Sequence, residues 1–110
     1  MSANYVPIKS GAASPVVPFA FTDENGNPLD LSPMGTEVLF TMRLWFSSIY
    51  VVQNQLAVIM APANQGSGYY ALNNTDTEIP GHYLGEWTIN PGNLRMPVDG
   101  YIHIVISPSL

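Results

Sequence analysis

The sequence predicts an all-β fold, an antiparallel two-sheet sandwich of about seven strands. Ten prolines and nine glycines punctuate short apolar runs, and turn signals recurring between short strands mark sandwiches. No stretch holds a helical period long enough to compete with that pattern. Tyr83, Gly85, Trp87 and Ile89 recur at two-residue spacing, as do Ile102, Ile104 and Ile106. A strand turns alternate side chains to one face, so each set shares the buried side of a sheet.

Residues 1–14 read as an N-terminal arm. Its segment Tyr5–Lys9 has the extended, apolar character of a strand that adds to a sheet edge, and residues 10–14 are a link of small residues. Residues 15–110 form the sandwich. Val17, Phe19 and Phe21 alternate on one face, and Pro18 between them marks an edge or a bulge. Residues 23–28 are turn chemistry, with Asn25-Gly26 supplying positive φ. Leu29 and Leu31 then tuck an apolar pair under the sandwich.

Residues 37–45 make the best central strand, with Val38, Phe40 and Met42 inward and Leu39, Thr41 and Arg43 outward. Residues 47–52 and 55–60 read as two more strands joined by Gln53-Asn54. Residues 66–68 turn into a strand over 69–72, and 73–79 makes a helical turn crossing between sheets. Residues 90–93 (NPGN) are a tight turn. The last strand, 101–107, points Tyr101, His103 and Val105 outward. The predicted core is Phe19, Phe21, Val38, Phe40, Met42, Tyr83, Trp87, Ile102 and Ile104.

The approach to Tyr83 carries the most fold information. Asp76, then Gly81-His82-Tyr83, has the form of a tyrosine corner, which marks an immunoglobulin-like sandwich. Asp76 itself reads as capping the turn before that strand. Five segments stand in order: residues 21–31 (FTDENGNPLDL), 36–43 (TEVLFTMR), 68–72 (GYYAL), 76–87 (DTEIPGHYLGEW) and 99–104 (DGYIHI). As an ordered set they resemble a family of bacteriophage structural domains. These are the immunoglobulin-like domains found at the N-terminus of siphophage baseplate upper proteins and in short stand-alone virion proteins. The resemblance covers residues 16–107. It departs in the arm and at 44–52, where Trp45, Phe46, Ile49 and Tyr50 replace the polar hairpin of the pattern.

That resemblance implies an architectural, non-enzymatic protein, made in the host cytoplasm and built into the virion as part of a tail, baseplate, neck or capsid surface. The implied partners are other virion proteins, with a homo-oligomer or many copies on the particle. The charge inventory points the same way. Three basic and eight acidic residues make up 10% of the chain, against about 25% in an average soluble protein. A domain of this size exposes roughly 6,000 Å², so each formal charge serves about 550 Å² of surface. Charge depletion marks interface cores. The net charge of −5 and three scattered cations argue against nucleic-acid binding. No apolar run approaches the ~18 residues of a membrane span, and the N-terminus lacks a signal-peptide pattern.

Candidate sites follow from the residues left on the outer faces. Tyr5, Ile8, Trp45, Phe46, Tyr50, Tyr69, His82, Tyr101 and His103 are the expected interface residues, since Trp and Tyr dominate binding hot spots. A carbohydrate-binding or adhesion module is the alternative, because the same rings serve as sugar platforms. His82 and His103 are the only histidines. A metal pair would need a third ligand, for which Glu86 is the candidate, and two surface histidines are the default, so no metal or other cofactor is expected. Asp23, Asn25 and Asn27 begin like a calcium loop, but Gly26 and Met34 fall where that loop requires otherwise. Neither histidine has a context that orients it as base for a serine, and Asp76 and Glu78 lie in an exposed corner rather than a glycosidase cleft.

Overall fold

The computed structural model describes residues 5–10, 15–45, 47–73, 75–97 and 101–108. Period-two alternation sorts their apolar side chains onto two facing sheets, as in a sandwich. The strands are β1 (Tyr5–Lys9), β2 (Val16–Ala20), β3 (Glu37–Leu44), β4 (Tyr50–Leu56), β5 (Val58–Ile59), β6 (Ser67–Ala71), β7 (Gly81–Asn90), β8 (Leu94–Met96) and β9 (Ile102–Ser107). A six-stranded sheet runs β1-β9-β7-β3-β4, with β8 hairpinned onto β7, and a three-stranded sheet runs β2-β6-β5. All pairings are antiparallel except β1 with β9.

Val38, Phe40 and Met42 on β3, Tyr83, Trp87 and Ile89 on β7, and Ile102, Ile104 and Ile106 on β9 form the inner face of the larger sheet, all buried. Val17, Phe19 and Phe21 meet them from the other side. Trp87 sits where the sheets touch, its ring centroid 4.7 Å from Phe40 and 4.8 Å from Phe19. Offset and edge-on ring contacts of this kind add to the area they bury. Gly68 on β6 lets the sheet reach that cluster: a Cβ there would stand 2.5 Å from the Phe19 ring and 2.0 Å from the Val58 carbonyl oxygen.

The Tyr83 hydroxyl donates to the Ile79 carbonyl at 2.7 Å, four residues upstream, which is the hydrogen bond of a tyrosine corner. The preceding turn is closed by Asp76, whose carboxylate accepts the Asn73 amide at 3.0 Å. Asp23 does the same in the 23–28 turn, accepting the amides of Asn25 and Asn27, and Gly26 supplies φ +84°. Pro18 lies on the edge strand β2, where its missing N–H costs no ladder bond.

Several details depart from the sequence reading. Gln53-Asn54 does not join two strands; it is a bulge inside β4. The register slips between Phe40 and Met42, Asn54 takes φ +50°, and the Thr41 hydroxyl accepts the Asn54 amide at 3.0 Å. The strand ends instead at Leu56, and the amide of the next residue, Ala57, still donates to the Val38 carbonyl on the larger sheet at 2.8 Å. Val58 already pairs with Tyr69 on the smaller sheet. Residues 94–96, not expected to be extended, form β8 against β7.

Tyr5–Lys9, expected as part of an arm, pairs in parallel with β9 of its own chain. Ile8, expected at an interface, is 7% exposed and belongs to the core. The reason is register: Ile8 stands opposite Ile106, whose side chain faces inward. The rest of the expected arm, residues 1–4 and 11–14, lies outside the described residues.

Candidate functional site

Each sheet turns its second face outward, and the two outer faces have different chemistry. On the larger sheet one row of register partners runs from Tyr50 on β4 through Arg43 and Leu84 to His103 and the Tyr5 position on β1. Thr41, Arg43, Ser47, Ser48, Tyr50, Leu84, Glu86 and Tyr101 line an open groove of about 520 Å³ on this face. The Arg43 guanidinium lies 5.7 Å from the centre of the Tyr101 ring and donates to the Ser47 carbonyl at 2.9 Å. The first is cation–π distance. Glu86 is held from the other side by Arg95 at 3.1 Å.

Beside the groove stands an aromatic corner. The backbone N–H of Trp45 donates to the His82 carbonyl at 2.9 Å, which continues the β3–β7 ladder by one residue and carries the indole onto the sheet. Its ring meets His82 edge-on, centroids 4.1 Å apart, and His103 at 5.8 Å. The two imidazoles are themselves in contact, with His82 Nε2 and His103 Nδ1 2.9 Å apart. Glu86, the one candidate for a third ligand, is engaged by Arg95 instead. Among the described residues no group of three or more His, Cys, Asp and Glu gathers.

Of the expected interface residues, Trp45, Tyr50, His82, Tyr101 and His103 therefore share one face. Tyr69 does not join them. It lies half-buried on the outer side of β6, between Pro18 and Val58. Phe46 lies outside the described residues, and only the backbone of Tyr5 falls within them.

The outer face of the smaller sheet was missed by the sequence reading. Val16 stands opposite Ala71, and Pro18, Tyr69 and Val58 form the next row. Val16, Val58 and Met60 are 47%, 47% and 46% exposed. The strands VVPFA, VI and SGYYA carry no Asp, Glu, Lys or Arg. Their lack of charge was the available signal, but it points to a face only once β5 is known to leave the larger sheet at Ala57.

Among the described residues, three groups titrate away from their ordinary values. The Ser32 hydroxyl and then its amide hold the exposed Asp30 carboxyl low. Burial pushes the Tyr70 phenol up, aided by the Asp76 charge, and burial alone pushes Tyr83 up. None of them lies in the groove or the aromatic corner, and Asp30 and Tyr83 have structural explanations in the turn and corner they close.

No family model matches the chain, and no curated protein matches it. Among solved structures its fold is similar to the N-terminal domain of phage TP901-1 ORF48, with a TM-score of 0.63 over 94% of this chain and 84% of that one. Sequence identity between the two is 14%, so the likeness is one of fold.

Proposed function

We propose that this protein is a non-enzymatic bacteriophage virion component, an immunoglobulin-like domain that docks onto adjoining virion proteins. The observation that carries the reading is the likeness, over nearly the whole chain, to an N-terminal domain of a phage protein. The surface supports it. A flat apolar sheet face without a single charge, on a chain with only eleven charged side chains, is what a partner covers cheaply, since no ion has to be desolvated.

An interface of standard size takes about 800 Å² from each partner, a little over a tenth of the 6751 Å² surface. The Val16–Val58–Met60 face supplies its apolar centre, and the Trp45 corner offers a second, aromatic contact on the opposite side. With two such faces, one chain touches two neighbours, and repetition around a ring or lattice makes modest contacts act together. The outer edge of β1 carries Pro7 and Lys9, both of which discourage unplanned strand addition; residues 1–4, beyond it, remain the part of the arm proposed to reach a neighbour.

The test is incorporation into particles. Val58→Lys and Trp45→Ala, each checked for an unchanged circular dichroism spectrum, are expected to reduce the copy number per particle at least several-fold. Normal incorporation of both would sink the docking surfaces named here. A second reading, a displayed carbohydrate-binding module, has one observation in its favour: the groove flanked by Tyr50 and Tyr101 with Arg43 and Glu86 at its floor. Binding on a glycan array that is lost in Tyr50→Ala, with incorporation unaffected by Val58→Lys, would favour it over the first.

A further inference from the structure

We propose that His82 and His103 form a transition-metal site on the outer face of the larger sheet, with Cu²⁺ favoured over Zn²⁺. The two residues come from neighbouring strands. His82 is paired with Val105 and His103 with Leu84, so the imidazoles project from one face on a diagonal across the β7–β9 ladder. Their nearest nitrogens, His82 Nε2 and His103 Nδ1, are 2.9 Å apart.

That separation brings both rings within reach of one ion. With metal–nitrogen bonds of about 2.0–2.1 Å, two donors at a right angle are about 2.9 Å apart, and two at the tetrahedral angle about 3.3 Å. The hydrogen bond by itself accounts for 2.9 Å, so the preference rests on the donor set: two imidazoles with open positions bind Cu²⁺ most tightly in the divalent series, whereas a structural zinc site takes four protein ligands. In the metal-free protein the same contact is an N–H···N hydrogen bond, one ring donating and the other accepting. Seating the ion requires the donating ring to carry its proton on its other nitrogen, a tautomer exchange through solvent, and turns each ring about χ2, a soft torsion.

The surroundings favour a cation with open positions. The Trp45 ring shields His82 on one side, which keeps the imidazoles in place. No third His, Cys, Asp or Glu joins them among the described residues, so water completes the coordination and binding stays reversible. A bound ion would clip β7 to β9 from the outer face, and ligand binding to the folded state alone raises its stability.

The purified full-length chain tests this directly. Titrated with copper sulfate, its tryptophan fluorescence is expected to fall saturably as Trp45 is quenched, leaving the emission of the buried Trp87. His82→Ala and His103→Ala are each expected to weaken the response at least tenfold. Nickel chloride is expected to raise the melting temperature of the wild type and of neither variant, and zinc to act more weakly than copper. Equal titration of wild type and variants, or a non-saturating response, would show only adventitious binding to the surface or the N-terminus and overturn the proposal. If one variant fails to fold, the other decides.

Discussion

On the larger sheet the outer face is shaped by side-chain tethers: Arg43 to the Ser47 carbonyl and the Tyr101 ring, Glu86 to Arg95, Trp45 against the histidine pair. The outer face of the smaller sheet has no such ties. What holds it in place is backbone closeness beneath it, where Gly68 lets β6 pass over the Phe19 ring and beside the Val58 carbonyl. One face is therefore tunable residue by residue, and the other stands or falls with a single backbone contact. In the docking role proposed above, the first is suited to specificity and the second to bulk apolar burial.

The sharpest way to break this contrast is at Gly68. A methyl group there collides with backbone, which cannot swing aside, so Gly68→Ala is expected to cost roughly 3 kcal/mol or more in urea unfolding. A loss within 1 kcal/mol would show that the smaller face does not depend on that approach. On the other sheet, Arg43→Ala removes a cation–π contact and a hydrogen bond together. It should cost about 1–2 kcal/mol, and should broaden the NMR signals of Tyr101 and Ser47 without disturbing Val16 or Val58.

Tyr83 lies beneath both faces and provides the reference. Tyr83→Phe removes the bond to Ile79 and is expected to cost about 1 kcal/mol at neutral pH. Burial raises the Tyr83 phenol, so the folded chain holds this proton more tightly than the unfolded chain. The resulting stability is complete below about pH 10, the unfolded value, and is lost as pH rises through the higher folded value. The alkaline fall in stability should be shallower in Tyr83→Phe, and an identical fall would assign it to other groups. Smallest of all, Val58→Lys and Glu86→Gln should each change stability by no more than about 0.5 kcal/mol, since both lie at exposed or partly exposed positions. A larger effect at Val58 would mean that this face supports the monomer rather than a partner.

The contrast also separates what was legible from what was not. The inward residues of β3, β7 and β9 follow from spacing alone, and the tyrosine corner was readable because its hydrogen bond is local, four residues long. The 55–60 run was misread for a related reason. Leu56, Ala57 and Val58 are three apolar residues in succession, and alternation cannot tell a strand that continues from one that changes sheets. The bulge at Asn54 was hidden similarly, because its stabilising partner is the hydroxyl of Thr41, thirteen residues away. Ile8 entered the core because a parallel pairing with the last strand placed it opposite Ile106, and no local pattern encodes a contact between the two ends of a chain.

By itself, then, the sequence determined the all-β class, the inward faces of the main strands, their turns and the scarcity of charge, because each depends on neighbours within a few residues. The tertiary structure alone decided which strands share a sheet, and through that which exposed residues share a face. It brought His82 and His103 into contact, separated Tyr69 from the other aromatics, and gathered Val16, Val58 and Met60 into one uncharged surface. Register across strands far apart in the chain is set by how the two apolar faces fit together, and that fit is a property of the whole sandwich.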